Sequence, residues 1–147
     1  MGGTIDDTDQ AIIAALTNNA RLPIADIAAA AHISTATAHR RLKKLLDSGV
    51  IRGFTTLVDP AATGASTQAL VHISLHTNYR RTLRKFYEFL SALPEVERVY
   101  FLSGAHDFAA HVTCRDSEAL STFVSDTISR REEVASTNTS LIFTYTD

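Results

Sequence analysis

Apolar residues in the first 48 positions recur every three or four residues, which is the spacing of amphipathic helices. Short turns divide this region into three helical segments. The first follows the N-cap residue Asp6, the second starts at Pro23, and the third follows Ser34 and stops before Gly49. Two short helices joined by a turn of about four residues, the second capped by serine, are typical of a helix-turn-helix unit.

The pattern changes after Val50. Residues 50–58 are rich in β-branched and aromatic side chains and predict a strand, and Pro60 and Gly64 then indicate a linker with a domain boundary near Gly64. Strict alternation begins at Thr67 and predicts a half-buried strand. The remaining elements are a helix over 80–93, two strands around residues 103–107, a helix capped by Asp116 or Ser117, and a last strand over 137–146.

This order, strand, helix, strand, strand, helix, strand, predicts a ferredoxin-like βαββαβ domain. The fold class is α+β, with a helix-turn-helix domain over 1–50, a strand and linker over 51–65 and the ferredoxin-like domain over 66–147. Both helices of such a domain cover one face of the sheet. The other face needs a cover, and we expect it to be a second copy, packed sheet against sheet.

Composition narrows the class of protein. The chain is 45% hydrophobic, carries a formal net charge of −2 and has a single cysteine, Cys114. An internal disulfide and a multi-cysteine metal cluster are therefore excluded. We find no apolar run of the ~20 residues that span a bilayer and no leader pattern, so we expect a soluble cytoplasmic protein without a membrane partner.

Positive charge is concentrated in residues 33–54, which hold five of the fourteen Lys and Arg residues and one acid, Asp47. On the third helix, Ala38, Leu42, Leu45 and Leu46 share a stripe and are expected to face the core. The opposite face is predicted to contact double-stranded DNA. Its members are Ser34, Thr35, Ala36, Thr37, His39, Arg40, Lys43 and Lys44.

Position on the helix separates two roles. The residues up to Arg40 lie near the N-terminal half and can reach base edges, with Arg40 suited to guanine and Ala36 to a thymine methyl. Lys43 and Lys44 are better placed for phosphates, and Arg41, at the rim of the stripe, is expected to be partly structural. The alternative is a solvated basic face near a helix C-terminus, where cations are favoured anyway. The preceding short helix, turn and cap favour DNA binding.

A second candidate site is the loop in LSGAHDFAAHV. Gly104 tolerates a positive φ and exposes backbone N–H groups, and the Asp107 carboxylate can accept from an α-ammonium group. Together they would clasp a small zwitterion. The alternative is a hairpin in which Gly104 turns the chain and Asp107 satisfies backbone donors.

Other polar residues suggest little chemistry. The histidines, among them His72, His76, His106 and His111, show no ligand spacing, so we expect no metal and no cofactor. Cys114 alternates with the core-facing residues of its strand and is expected to be a small buried hydrophobe. Basic residues at 80, 81, 84 and 85 fit a solvated helix face, with an auxiliary DNA-wrapping surface as the alternative.

Four stretches resemble, in order and spacing, the signatures of the Lrp/AsnC family, the feast/famine transcriptional regulators of bacteria and archaea. They are IDDTDQAIIAAL, NNARLPIADIAAAAHIS, AHRRLKKLLDSGVIRGFTTLVDP and VYFLSGAHDFAAHV, and the likeness runs from Ile5 to Tyr145. It implies a winged helix-turn-helix that reads operator DNA. It also implies a βαββαβ domain of the dimeric α+β barrel type, which dimerises, often assembles into octamers, and binds an amino acid or similar small effector.

The resemblance also implies where the effector binds. The residues it points to are Ser103, Gly104, Ala105, His106, Asp107, and, from a neighbouring subunit, Thr137 and Thr139. The chain departs from the family pattern at Thr8 and at Ser136, where arginine is frequent, and the second departure bears on the identity of the effector. We therefore predict a non-enzymatic, effector-modulated transcriptional regulator. The alternative is a tetrapyrrole-modifying, decarboxylase-like enzyme on the same two-domain fold.

Overall fold

The computed structural model describes residues 5–144, apart from the side chains of Ala61 and Arg80. The chain divides into two compact units between Leu57 and Val58. This division lies inside the predicted strand and linker, earlier than the boundary expected near Gly64. The outer ends of the two predicted domains, residues 1–4 and 145–147, lie outside the described residues.

The first unit contains the three predicted helices, α1 (Asp7–Asn18), α2 (Ile24–Ala30) and α3 (Thr35–Asp47). The side chain of Asp6 accepts from the backbone N–H of Asp9 at 2.8 Å and caps α1. Pro23 is the N-cap of α2 instead of its first helical residue. At the end of α3, Gly49 has φ +73°, which confirms the left-handed position expected there.

The core of this unit is built from the stripes of all three helices. Its most buried side chains are Ile12, Leu16, Ile27, Ala28, Ala31, Ala38 and Leu45. Leu42 is half-buried against this core, as expected, but Leu46 is 37% exposed, so its placement in the core stripe was wrong. At 100° per residue, Leu46 lies one step beyond Leu45 around the helix and reaches the edge of the stripe.

The predicted strand over 50–58 is absent from this single chain, where residues 52–59 have no regular secondary structure. Phe54, Leu57 and Val58 are 52%, 72% and 58% exposed. A strand exists only when its backbone N–H and C=O groups pair with a neighbour, and in the described chain this segment has no neighbouring strand. Its β-type composition alone was therefore misleading.

The second unit is the predicted βαββαβ domain. Its elements are β1 (Thr67–Leu75), α4 (Leu83–Ser91), β2 (Val96–Phe101), β3 (Phe108–Cys114), α5 (Ser117–Thr122) and β4 (Val134–Leu141). The strands form one antiparallel sheet in the order β2-β3-β1-β4. In this order β3 and β1 are the central strands, and β2 and β4 form the two edges.

Three boundaries differ from the sequence prediction. Residues Thr77–Thr82 form a 3-10 helix, so α4 starts later than position 80. Residues Phe123–Ser129 continue α5 as a π-helix. The last strand occupies Val134–Leu141 and not 137–146, whose final two residues lie outside the described chain.

Both helices pack on one face of the sheet, where Val71 and Ile73 of β1 meet Phe86 and Leu90 of α4 in one buried cluster. Cys114 is buried in the same cluster, which confirms its expected role, and burial raises the pKa of its thiol. Asp116 caps α5 by accepting from the backbone N–H of Ala119 at 2.8 Å. No described element of the second unit covers the opposite face of the sheet, which carries Leu70 and His72.

Between residues 5 and 144, no helix combines the length and the apolar character that crossing a membrane requires.

Candidate functional sites

The outer face of α3 is presented by a helix that is fixed at both ends. Ser34 accepts from the backbone N–H of Thr37 at 3.2 Å, and Ala38 and Leu45 anchor the buried side at 0% and 3% exposure. The side chains left on the surface are those of Ser34, Thr35, Ala36, His39, Arg40, Lys43 and Lys44, and Thr37 is half-buried. The structure therefore brings the predicted DNA-binding residues onto one face.

Hydrogen bonds divide these residues into more and less available groups. The Ser34 hydroxyl also donates to the Thr37 hydroxyl at 2.9 Å, so both side chains are occupied in capping the helix. Lys43 Nζ lies 2.6 Å from Asp47 Oδ2, an exposed pair one helical turn apart. Within the described chain, Arg40 and Lys44 make no ion pair. Arg40 and Lys44 are thus the most available cations of this face.

Arg41 turns away from this face. Its Nη1 lies 2.6 Å from Asp6 Oδ2 and 2.9 Å from Asp9 Oδ1, which confirms a structural role. The Arg41 guanidinium lowers the pKa of Asp6, mainly through the side-chain hydrogen bond.

The second candidate site, residues 103–107, joins β2 to β3. Gly104 has φ +151°, a conformation that side chains rarely adopt, and an added Cβ would meet no atom within 4 Å. Asp107 Oδ2 accepts from the backbone N–H of Leu75 at 2.8 Å. The backbone N–H of Asp107 also donates to Ile73 at 3.0 Å, which pins the loop to the end of β1. One carboxylate oxygen of Asp107 thus satisfies a backbone donor at the end of β1, in keeping with the alternative interpretation.

His106 extends the loop across the uncovered face of the sheet. Its Nδ1 lies 3.1 Å from the Ser74 hydroxyl, and its ring centroid lies 4.9 Å from that of His72. Sequence reasoning did not include Ser74 or His72 in the site. The signal was present in the alternation of β1, which places both on its polar side, but the contact depends on how β1 and the loop meet.

Thr137 and Thr139 lie elsewhere in the same chain. They pair with Ile73 and Val71, whose side chains are buried beneath the helices, so the two threonines project to the helix side of the sheet. His106 lies on the opposite side, with His72 and Ser74. A single chain therefore does not bring the two threonines and His106 to one site.

Across residues 5–144, no three His, Cys, Asp or Glu side chains converge in a way that could hold an ion.

Comparison with known proteins agrees with both halves of this architecture. A family model described as a winged helix-turn-helix DNA-binding domain matches residues 5–52. A second model, described as the Lrp/AsnC ligand binding domain, matches residues 68–145.

Individual relatives cover almost the whole chain. The HTH-type transcriptional regulator AldR of Mycolicibacterium smegmatis is 43% identical over 139 residues, which is 95% of this chain and 81% of the relative. The crystal structure of AldR from Mycobacterium tuberculosis superposes with a TM-score of 0.85 at 33% identity, covering 97% of this chain and 93% of that one. A Neisseria meningitidis transcriptional regulator in complex with L-methionine has a TM-score of 0.87 at 28% identity, with 96% and 91% coverage.

A basic helix-turn-helix unit followed by a separate ligand-binding unit defines a class of DNA-binding transcriptional regulator. The chain belongs to the Lrp/AsnC family of this class. Its relatives are named as transcriptional regulators. These names favour the predicted transcriptional regulator over the alternative of a tetrapyrrole-modifying enzyme.

Proposed function

We propose that this chain is a homo-oligomeric, sequence-specific regulator whose DNA binding is modulated by an amino acid bound at the 103–107 loop. The observation that carries the DNA-binding half is the exposed basic face of α3, held by a capped helix with its buried stripe in the core. In this proposal Arg40 reads a base edge while Lys44, helped by Lys43, contacts phosphate.

Substitutions on α3 test these roles. Arg40→Ala should relax preference at one base position, at a cost of about 1–3 kcal/mol in discrimination, because a bidentate base contact is lost. The measurement is selection from a random duplex pool followed by titration of the selected site and its point variants. If both affinity and sequence preference survive Arg40→Ala, the recognition role is wrong.

Lys44→Ala should instead weaken binding to all sequences. Loss of one phosphate contact should reduce the slope of log K against log salt by about 0.9. Lys43→Ala should have a smaller effect, because Asp47 already pairs with Lys43. Arg115→Ala is the matched control, since this exposed arginine of the second unit pairs with Asp116. Equal losses in Lys44→Ala and Arg115→Ala would contradict the proposed phosphate contact.

The effector half of the proposal rests on the loop and on the family. The model matched by residues 68–145 describes a ligand-binding domain, and the Neisseria relative was solved with L-methionine. We infer an amino acid because Gly104 supplies an open backbone and Asp107 supplies the carboxylate that would favour an ammonium group. Thr137 and Thr139 would then approach from a neighbouring subunit, because in one chain they lie across the sheet from His106.

A thermal-shift screen against the twenty amino acids, with a gel-filtration mass for each hit, identifies the effector. Asp107→Asn should abolish the shift without releasing the loop from β1, since the amide oxygen can still accept from the backbone N–H of Leu75. Asp107→Ala removes both the charge and this hydrogen bond. Asp116→Asn is the control, because Asp116 is also a carboxylate that accepts a backbone N–H. A full response in Asp107→Asn would contradict the ammonium contact.

Homodimerisation through the uncovered sheet face completes the proposal. Nδ1 of His72 is buried and has no hydrogen-bond partner among the described residues, and Tyr100 is 42% exposed on the same face. A second copy would cover the face and could supply the missing partner. Assembly of dimers into octamers remains part of the proposal, and sedimentation of the protein with and without the effector would measure it.

A further inference from the structure

A group of cations outside the helix-turn-helix unit lies at the end of the 3-10 helix Thr77–Thr82 and in the first turn of α4. Four of the eight Lys and Arg residues of the second unit occur within positions 80–85, where there is no acid. We define the basic patch by Arg81, Arg84 and Lys85, whose side chains are exposed. The unit as a whole carries more acids than bases, so the patch is a local reversal of its charge.

The patch is held on a well-anchored element. Phe86 and Leu90 of α4 are 2% and 0% exposed, and the Arg131 guanidinium stacks over Phe89 at 4.0 Å from the ring centroid. Arg131 also pairs with Glu133 at 2.7 Å, so its charge is used inside the unit. The buried side of α4 is therefore fixed, while the patch stays at the surface.

Internal ion pairs do not account for the patch. Arg81 and Lys85 make no ion pair within the described chain. Arg84 Nε lies 3.2 Å from Glu88 Oε1, but these side chains are 92% and 62% exposed, and such a pair exchanges easily for another anion.

Helix stability does not account for it either. Cations in the first turn of a helix are opposed by the helix dipole, and α4 has no acid there. By contrast, α1, α2 and α5 all carry acids in their first turns.

We propose that the basic patch is a second, sequence-independent contact to the phosphates of DNA held by the same protein. This inference rests on the proposed DNA binding by α3. A polyanion fits three exposed cations on one surface better than a single acidic side chain would, and DNA is the polyanion that a member of this family binds. The contact would add affinity without adding base discrimination.

The test measures how the affinity of the full chain for DNA depends on salt concentration. The probe is a duplex of arbitrary sequence and roughly 150 base pairs, about one persistence length. Arg81→Gln with Lys85→Gln should reduce the slope of log K against log salt by about 1.8 per chain. Between 50 and 200 mM salt, the unmodified protein should then lose roughly 12-fold more affinity than the variant. The matched control is Arg115→Gln with Arg130→Gln, which removes the same charge from two exposed, ion-paired arginines.

The two proposals fail in different ways. If Lys44→Gln lowers the slope and the patch variant behaves like its control, the second contact is overturned and the α3 proposal stands. If neither variant changes the slope, DNA binding through α3 is wrong as well. An altered gel-filtration mass with an unchanged slope assigns the patch to contacts between copies and overturns the inference. A melting curve matching that of the unmodified protein verifies that the patch variant is folded.

Discussion

Arg41 belongs to the basic run of α3 but hydrogen-bonds to two carboxylates of α1. One of them, Asp6, is also the N-cap of α1, and the other, Asp9, is buried at 4% exposure. A single side chain therefore ties the start of the first helix to the middle of the third. Its neighbours Arg40 and Lys44 point outward, so adjacent residues of one charged run serve folding and binding separately.

This contact predicts an acid-sensitive step in stability. Because the pKa of Asp6 is lowered in the folded protein, its contribution is complete above its ordinary value of 3.8 and is lost as the pH falls through the folded value. Thermal melts between about pH 7 and about pH 3 should therefore show a midpoint that falls less in Asp6→Asn than in the unmodified protein. Asparagine still caps the helix, so only the charge is removed. Identical pH profiles would contradict the role of the pair.

At the scale of secondary-structure elements, the turn between α2 and α3 sets the position of the proposed DNA-binding face. His32 has φ +53°, in the left-handed region that residues other than glycine rarely occupy. The backbone N–H of Ile33 donates to Ala28 at 3.0 Å and closes the turn. The left-handed residue therefore lies within the turn that joins α2 to α3.

Substitution of His32 should reveal this strain. His32→Val should lower the free energy of unfolding by about 1–2 kcal/mol, because a β-branched side chain tolerates the conformation poorly. His32→Gly should raise it by up to about 1 kcal/mol. His39→Gly is the control with opposite sign, since it places glycine within α3 and should cost about 1 kcal/mol. Chemical denaturation measures all three, and a stabilising His32→Val would refute the strain argument.

At the scale of the whole molecule, the chain has two separate hydrophobic cores. The three helices share one cluster, and the sheet shares another with α4, α5 and the π-helix. Each cluster contains fully buried side chains, such as Ile12 in the first and Leu90 in the second. Separate cores are expected to open as separate cooperative units.

Truncation in each core tests that expectation. Ile12→Ala should destabilise the helical unit by about 2–5 kcal/mol and accelerate amide exchange in α1, α2 and α3, but leave exchange in the sheet unchanged. Leu90→Ala should produce the reverse pattern. Exchange that rises equally in both units after either substitution would show one cooperative molecule instead.

Much of the fold was predictable because its signals are local. N-caps at Asp6 and Ser34, the turn at Gly49 and the alternation of β1 were read directly from neighbouring residues, and the structure has all of them. Two predictions failed for different reasons. Residues 50–58 have strand-like composition but no pairing partner among the described residues, and Leu46 lies at the edge of the buried stripe of α3.

The candidate sites divide in the same way. The outer face of α3 follows from helical periodicity, so the sequence predicts which side chains lie on it, but not that Ser34 and Thr37 hydrogen-bond to each other. Around the 103–107 loop, contacts between residues far apart in sequence decide the geometry. Sequence alone determined the order of the elements, the family resemblance and the charged face, because these depend on periodicity and spacing. Only the tertiary structure decided that Asp107 accepts from the backbone of β1, that Thr137 lies across the sheet from His106, and that Arg41 joins two helices.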